Sequence, residues 1–268
     1  MLKKIKSRSK RFLVQLPRLS RALSGGSLTK CISLHLKLAF FAVTRQSLLK
    51  GKKMRFSFIY NQTDFTLDMF DNMDVTVLVE IFVLKEYKWD EPGVPKTILD
   101  LGAHWGDTAL FYSLEYPDAH IFSVEPIPEM FNRLQDVTSG LNNVTTIQGA
   151  LSEDLNPVKL FLFDTFLGSS TKKRKEGGVP EVMVPGLTLD QIISNTGVSK
   201  FDLVKFDIEG AEEVLFKCSD LKAFGKAYIG EIHLDLISVS IDDIKTIFKE
   251  FDTTFESIGG QRYILKAM

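Results

Sequence analysis

Between residues 96 and 151 the chain alternates short apolar runs with amphipathic stretches. "KTILDLGA" is followed by a helical pattern to Glu115, then come "AHIFSVEPI", "PEMFNRLQDVTSG" and "NVTTIQGAL". The apolar runs are bounded by turn residues and carry β-branched and aromatic side chains, which marks them as buried strands. The intervening stretches read as helices, the second opening on Pro128 and closing on Gly140. A strand apolar on both faces and followed by a helix needs a parallel partner and cover on each side. The βαβαβ order therefore predicts an α/β fold, a doubly wound, mostly parallel sheet.

The rest of the body extends this pattern. Residues 152–188 interrupt it with an expected inserted hairpin or lid, "NPVKLFLFD" and "EVMVPGLTL" flanking the loop "LGSSTKKRKEGG". Alternation resumes with a helix in "LTLDQIISNTG", strands in "FDLVKFDIEG" and "AYIGEIHLD", and a helix in "SIDDIKTIFKEF". "TTFESIG" and "QRYILKA" close the chain as an antiparallel pair. The expected organisation is a basic leader at 1–55, a helical cover at 56–95 with a helix capped near Asp71 to Asp74, and a main domain at 96–268.

Charge is strongly segregated. The first 55 residues hold 15 of the 33 Lys and Arg and no acid, although the whole chain is close to neutral at −1. Such a block meets an anionic surface: membrane lipid, nucleic acid or the protein's own acidic body. Its most apolar piece, "LKLAFFAV", is far shorter than the roughly 20 residues that span a bilayer. The leader has no continuous apolar core with a small-residue cleavage site, so it does not read as a secretory signal; an organelle transit peptide is one alternative and a disordered tail another. The expectation adopted is an amphipathic helix in peripheral contact with anionic lipid. Two cysteines, Cys31 and Cys218, are too few for a disulfide framework or a four-ligand zinc site, which fits a reducing cytoplasm.

The chemistry is expected at the first strand-to-helix turn, because ligands of such sheets sit outside the carboxyl ends of the strands where the strand order reverses. Here the turn reads D-x-G-x-x-x-G, from Asp100 through Gly102, Ala103 and His104 to Gly106, with Asp107 opening the helix. Glu125 ends the next strand, placed to accept hydrogen bonds from ribose hydroxyls. A dinucleotide would need a glycine where His104 stands, and Asp107 would repel its pyrophosphate at the helix N-terminus. S-adenosylmethionine has no phosphate and a positive sulfonium, so the acids of this turn suit a methyl donor.

At this point the sequence resembles the FkbM-type methyltransferases, from about 70 to 235. The resemblance rests on "DNMDVTVLVEIFVLKEY", on "ILDLGAHWGDTALFYSLEYPDAHIFSVEPIPEMFNRL", on "GLTLDQII", and on "FDLVKFDIEGAEEVLF" followed by "IGEIH". It implies a Rossmann-like class I fold and O-methylation of a small-molecule or sugar hydroxyl with S-adenosylmethionine. Asp100, Gly102 and Gly106 would shape the turn around the methionine end, with Ala103, His104 and Asp107 beside it. Glu125, next to Pro126, would take the ribose, and Gln148 to Ala150 would border the adenine. The chain departs from the family's pattern at His104, usually Asn, and at Trp105, often aliphatic.

Methyl transfer needs alignment of donor and acceptor and a base for the hydroxyl proton. The candidates are Lys205, Asp207 and Glu209 at the end of one strand and Glu231 and His233 on the next, and the resemblance implies that Asp207 faces the methyl group. Acids with a histidine also suit a divalent metal, but the spacing matches no fixed metal motif and none is assigned. The run Lys172, Lys173, Arg174 and Lys175 would be a lid over an anionic or lipid-linked acceptor, or a solvated loop. A nucleic-acid acceptor is not favoured, because the body is acidic. The competing functions are a non-catalytic Rossmann-like interaction module and an NAD-dependent dehydrogenase.

Overall fold

In the computed structural model, residues 15–44, 52–162, 180–218 and 220–268 are described. The chain divides into two units, Met1–Glu86 and Tyr87–Met268.

In the first unit, a helical stretch at 15–22 precedes helix α1 (Leu28–Thr44). Strands β1 (Met54–Tyr60) and β2 (Thr63–Met69) then form an antiparallel hairpin, in register from Met54 opposite Met69 to Tyr60 opposite Thr63. The two loop residues, Asn61 and Gln62, have φ of 46° and 65°, the left-handed pair that matches the twist of a two-residue hairpin. Phe56, Phe58 and Tyr60 alternate inward, and Phe41 of α1 meets Phe56 edge to face at 5.5 Å. Helix α2 (Asn72–Leu78) starts at a reciprocal capping box between Asp71 and Asp74, and a wider π-helical turn (Val79–Leu84) continues it. The segment expected as a helical cover is thus a hairpin followed by a helix. The helix expected with its cap near Asp71 to Asp74 is present, and what the expectation of a helical cover left out is the hairpin before it, where "FTLDM" alternates with period two against the preceding strand.

The second unit is built on a seven-stranded sheet. Its strands are β3 (Thr97–Leu101), β4 (His120–Glu125), β5 (Val144–Gln148), β10 (Phe201–Phe206), β11 (Gly225–His233), β12 (Thr253–Ser257) and β13 (Arg262–Ala267), in the spatial order β12-β13-β11-β10-β3-β4-β5. The five strands from β11 to β5 are parallel, and β13 runs antiparallel to both β11 and β12. This is the predicted sheet, with its strand order reversing between β3 and β10. Helices α3 (Asp107–Glu115), α4 (Pro128–Thr138), α5 (Leu189–Thr196), α6 (Glu212–Phe216), α7 (Leu221–Phe224) and α8 (Ile241–Ile247) connect the strands. Thr188 caps α5, whose end is Gly197 in the left-handed region, and Ser240 with Asp243 boxes the start of α8.

The insertion contains two short pairs, β6 (Ala150–Leu151) parallel to β9 (Gly186–Leu187) and β7 (Val158–Phe161) antiparallel to β8 (Glu181–Val184). The expected hairpin is present; the basic run 172–175 lies outside the described residues. Leu99, Leu101, Phe206, Tyr228, Phe248 and Leu265 belong to one buried cluster, which fixes the sheet and so the strand ends.

Candidate active site

The turn after β3 is shaped by backbone packing that only glycine permits. Gly102 has a φ of 79°, and a Cβ there would stand 2.0 Å from the main-chain oxygen of Asp207. The turn and the end of β10 therefore lie in direct contact, locked further where Asp207 N–H donates to the Leu101 carbonyl at 3.0 Å. The amides of Gly102 and Ala103 both donate to the Val124 carbonyl, at 3.0 and 2.9 Å. Gly106, at φ 95°, opens α3.

Asp100 is wholly buried below this turn. Its Oδ2 accepts from the Thr108 hydroxyl at 2.6 Å, and the Lys205 ammonium stands 3.0 Å from Oδ1. Lys205, itself buried, donates to the Gly102 carbonyl at 2.7 Å and lies over the Tyr87 ring at 5.3 Å. Burial raises the Asp100 carboxyl; it also disfavours the Lys205 charge, but Asp100, Asp207 and Asp107 outweigh it and hold the ammonium above its ordinary range. Lys205 is thus directed at the glycine turn, on the side of Asp100.

Glu125 ties the turn to the second strand. Its Oε2 accepts from His104 N–H at 2.8 Å and its Oε1 from Ile127 N–H at 2.9 Å. Each oxygen keeps a lone pair that a ribose hydroxyl can use. Burial pushes this carboxyl up to about 7, against the pull of the Ile127 and His104 amides. His104 occupies the left-handed region at φ 50°, with its Nδ1 3.2 Å from Asp107 Oδ2. Pro126 is half-buried in the following loop; Gln148, exposed, pairs in register with Glu125, and Ala150 is buried beyond it. The ten residues expected at the cofactor thus surround the ends of β3, β4 and β5.

The second group gathers at the ends of β10 and β11. His233, wholly buried, has Nδ1 2.6 Å from Glu212 Oε1 and Nε2 3.3 Å from both Glu209 and Glu231 and 3.8 Å from Asp207. Burial works against the imidazolium, but the Glu212 and Glu231 hydrogen bonds and the nearby charges prevail and hold it up to about 11. Asp207 is about a third exposed, 31% by side chain, and accepts from the Tyr87 hydroxyl at 3.3 Å. Close packing and then the Glu231 charge raise its carboxyl. One ligand atom each from Asp207, Glu209 and His233 lie within 4.8 Å of one another, so these three could hold a metal.

Sequence reasoning missed three members of this group. Tyr87 sits at the end of the "FVLKEY" run and touches both Asp207 and Lys205. Glu212 lies in the "EGAEE" string, where its spacing from Asp207 gave no strand-face relation. Arg262, 3.2 Å from Glu231, comes from the antiparallel last strand, and its only signal was the register of β13 on β11.

The family model for the methyltransferase FkbM domain matches residues 100–255. Methyltransferase sdnD of Sordaria araneosa is 27% identical over 175 residues, which cover 53% of this chain and 67% of that protein. Among solved structures, fibrillarin of Aeropyrum pernix with natively bound S-adenosyl-L-methionine is 14% identical, covering 82% of this chain and 86% of that one at a TM-score of 0.46. A fibrillarin/Nop5p complex is 18% identical, covering 71% and 79% at a TM-score of 0.43. The matched segment runs from the buried acid below the glycine turn through both carboxylate-bearing strand ends, and by it the chain belongs to the FkbM methyltransferase family, an S-adenosylmethionine-dependent methyltransferase.

Proposed function

We propose that the enzyme transfers the methyl group to a hydroxyl of a small molecule or sugar, as in the building of a glycan or secondary metabolite. The observation that carries this reading is Asp207, a partly open carboxylate whose own main chain packs on the cofactor turn. Such a group accepts a hydrogen bond from a hydroxyl and aligns its oxygen with the donor methyl. The acceptor O–H gives its proton to the carboxylate side and the new O–CH3 bond forms as the S–CH3 bond breaks. The electron pair of that bond returns to sulfur, neutralising the sulfonium. Lys205 acts in this scheme as a positioning residue, holding the turn through Asp100 and Gly102. The test is mass spectrometry of glycans and metabolites from cells with and without the gene. A hydroxyl compound one methyl lighter in the deletion supports the reading, and a methyl lost only from nitrogen, carbon or nucleic acid overturns it. An anionic or lipid-linked acceptor is the finer form of the proposal, resting on the basic run at 172–175.

We further propose a cytoplasmic enzyme held peripherally on anionic lipid by its first unit. Leu28, Ile32, Leu36, Phe40 and Val43 recur every three or four residues along α1 and are exposed, while Leu34, Leu38 and Phe41 on the other side are buried. Lys30 and Lys37 flank the exposed stripe, within a stretch to residue 55 that contains no acid. An apolar stripe beside unopposed positive charge suits the interface of an anionic bilayer. Among the described residues no helix is long and apolar enough to cross a membrane.

A further inference from the structure

Residues 87–90 open the second unit and belong to no helix or strand, yet their neighbours hold them firmly. The Tyr112 hydroxyl, wholly buried on α3, donates to the Tyr87 carbonyl at 2.8 Å, and the Trp89 amide donates to the Tyr116 hydroxyl at 3.1 Å. Those two phenols stack on each other with ring centroids 6.1 Å apart. Lys88 lies 3.8 Å from Glu115 at the end of the same helix, and Lys266 of β13 pairs with Asp90. An irregular segment tied down in this way has little freedom left to lose when a ligand arrives.

The segment lays one buried side chain across both charged groups of β10. The Lys205 ammonium stands 5.3 Å from the centre of the Tyr87 ring, and the Tyr87 hydroxyl donates to Asp207 Oδ2 at 3.3 Å. Asp207 Oδ1 lies 3.8 Å from His233 Nε2, beyond hydrogen-bond length. The main chain of Asp207 is fixed by its packing on Gly102, but that does not fix its carboxylate, because the last torsion of an aspartate side chain is broad. The Tyr87 hydroxyl supplies the missing constraint, through a hydrogen bond to a charged acceptor.

We propose that Tyr87 is a positioning residue for methyl transfer, its hydroxyl setting the orientation in which the Asp207 carboxylate meets the acceptor. This rests on the reading of Asp207 as the group that receives the acceptor hydroxyl. Tyr87 gives up no proton and forms no covalent bond; it acts through Asp207 alone. Each carboxylate oxygen has two lone pairs, so Asp207 accepts from Tyr87 and from the acceptor together. Alignment is what an in-line transfer demands, and a misplacement of about 1 Å costs on the order of 10²-fold in rate. The site thereby extends ahead of residues 100–255, since Tyr87 precedes the segment matched by the family model.

Tyr87→Phe keeps the ring over Lys205 and removes only the hydroxyl, so it separates orientation from packing. Crystals of the full chain with S-adenosylhomocysteine should show one Asp207 carboxylate orientation in the wild type and a rotated or divided one in Tyr87→Phe; an unchanged carboxylate overturns the proposal without any acceptor being known. Turnover is then read with methyl-labelled S-adenosylmethionine and the small-molecule extract of cells lacking the gene. In Tyr87→Phe, kcat should fall about 10–100-fold while KM and the calorimetric Kd for S-adenosylmethionine stay within about twofold. Added to Asp207→Ala, the same change should cost less than about twofold, because no carboxylate remains to be oriented. Wild-type kcat in Tyr87→Phe, an equal loss in both backgrounds, or a weakening of cofactor binding that matches the lost turnover overturns the proposal and leaves Tyr87 a packing residue. Label found on nitrogen alone, with the two residues still coupled, supports the orienting role and overturns the hydroxyl reading instead.

Discussion

At the scale of single residues, Glu125 is the most informative. Its carboxylate serves two backbone amides and is placed for the ribose, so Glu125→Ala should weaken S-adenosylmethionine binding by about 2–3 kcal/mol and loosen the turn at His104. Calorimetry checks the affinity, and a folded variant with wild-type affinity removes Glu125 from the site. Burial holds its folded pKa up to about 7, above the ordinary 4.5, so the native state binds the extra proton between those values. Stability from this group is therefore full below about pH 4.5 and declines as pH rises through 7, by about 3 kcal/mol. Urea melts from pH 5 to 8 should show wild-type stability falling relative to Glu125→Gln over that window; parallel curves would refute the shift. Asp207→Asn keeps the shape and removes the charge, so turnover should drop about 10²–10⁴-fold at nearly unchanged cofactor affinity. Lys205→Met, by contrast, should act through the turn it holds, uncovering buried Asp100 and costing about 3–5 kcal/mol of stability in thermal or urea melts.

Among the elements, the glycine turn and helix α1 invite the sharpest tests. Gly102→Ala puts a methyl group 2.0 Å from the Asp207 carbonyl, so the β3 turn and the β10 end must part. Loss of S-adenosylmethionine binding with a lowered melting temperature is expected, and a variant that binds normally would contradict the packing described. On α1, Ile32→Glu with Phe40→Glu should leave the fold intact, because both side chains are already exposed. Full-length protein should sediment with vesicles containing anionic lipid at low salt, and this double variant should remain in the supernatant. Wild-type protein that ignores such vesicles, or self-associates through the stripe instead, overturns the membrane reading.

For the whole molecule, the leader and the hairpin form one cooperative packing problem. Removing residues 1–55 deletes α1 and the start of β1 and uncovers Phe56, which Phe41 covers edge to face. Losing a large buried aromatic contact costs about 3–5 kcal/mol, so this truncation should unfold the first unit rather than merely release a tail. Limited proteolysis of the truncated protein should cut within 56–86, and resistance there would show that the hairpin stands alone.

Much of the second unit was legible because its signals are local. The period of apolar residues, Pro128 and Gly140 around a helix, and glycines at 102 and 106 each act within one element, and they yielded the sheet and the glycine turn after β3. The hairpin at 54–69 was missed because its Asn61-Gln62 turn lacks the glycine that normally marks such loops, leaving the alternation ambiguous. The sequence also placed Lys205 and Asp207 on one face of a strand. Only the packing of β3 against β10 sent Lys205 to Asp100 and Gly102, while Asp207 went to Tyr87 and the histidine cluster. The Glu212–His233 pair spans 21 residues, and Arg262 reaches Glu231 across 31. Residue type and spacing thus determined which side chains could carry chemistry. Which of them share charge was decided by tertiary structure, because burial and distance, not order along the chain, set the strength of an electrostatic interaction.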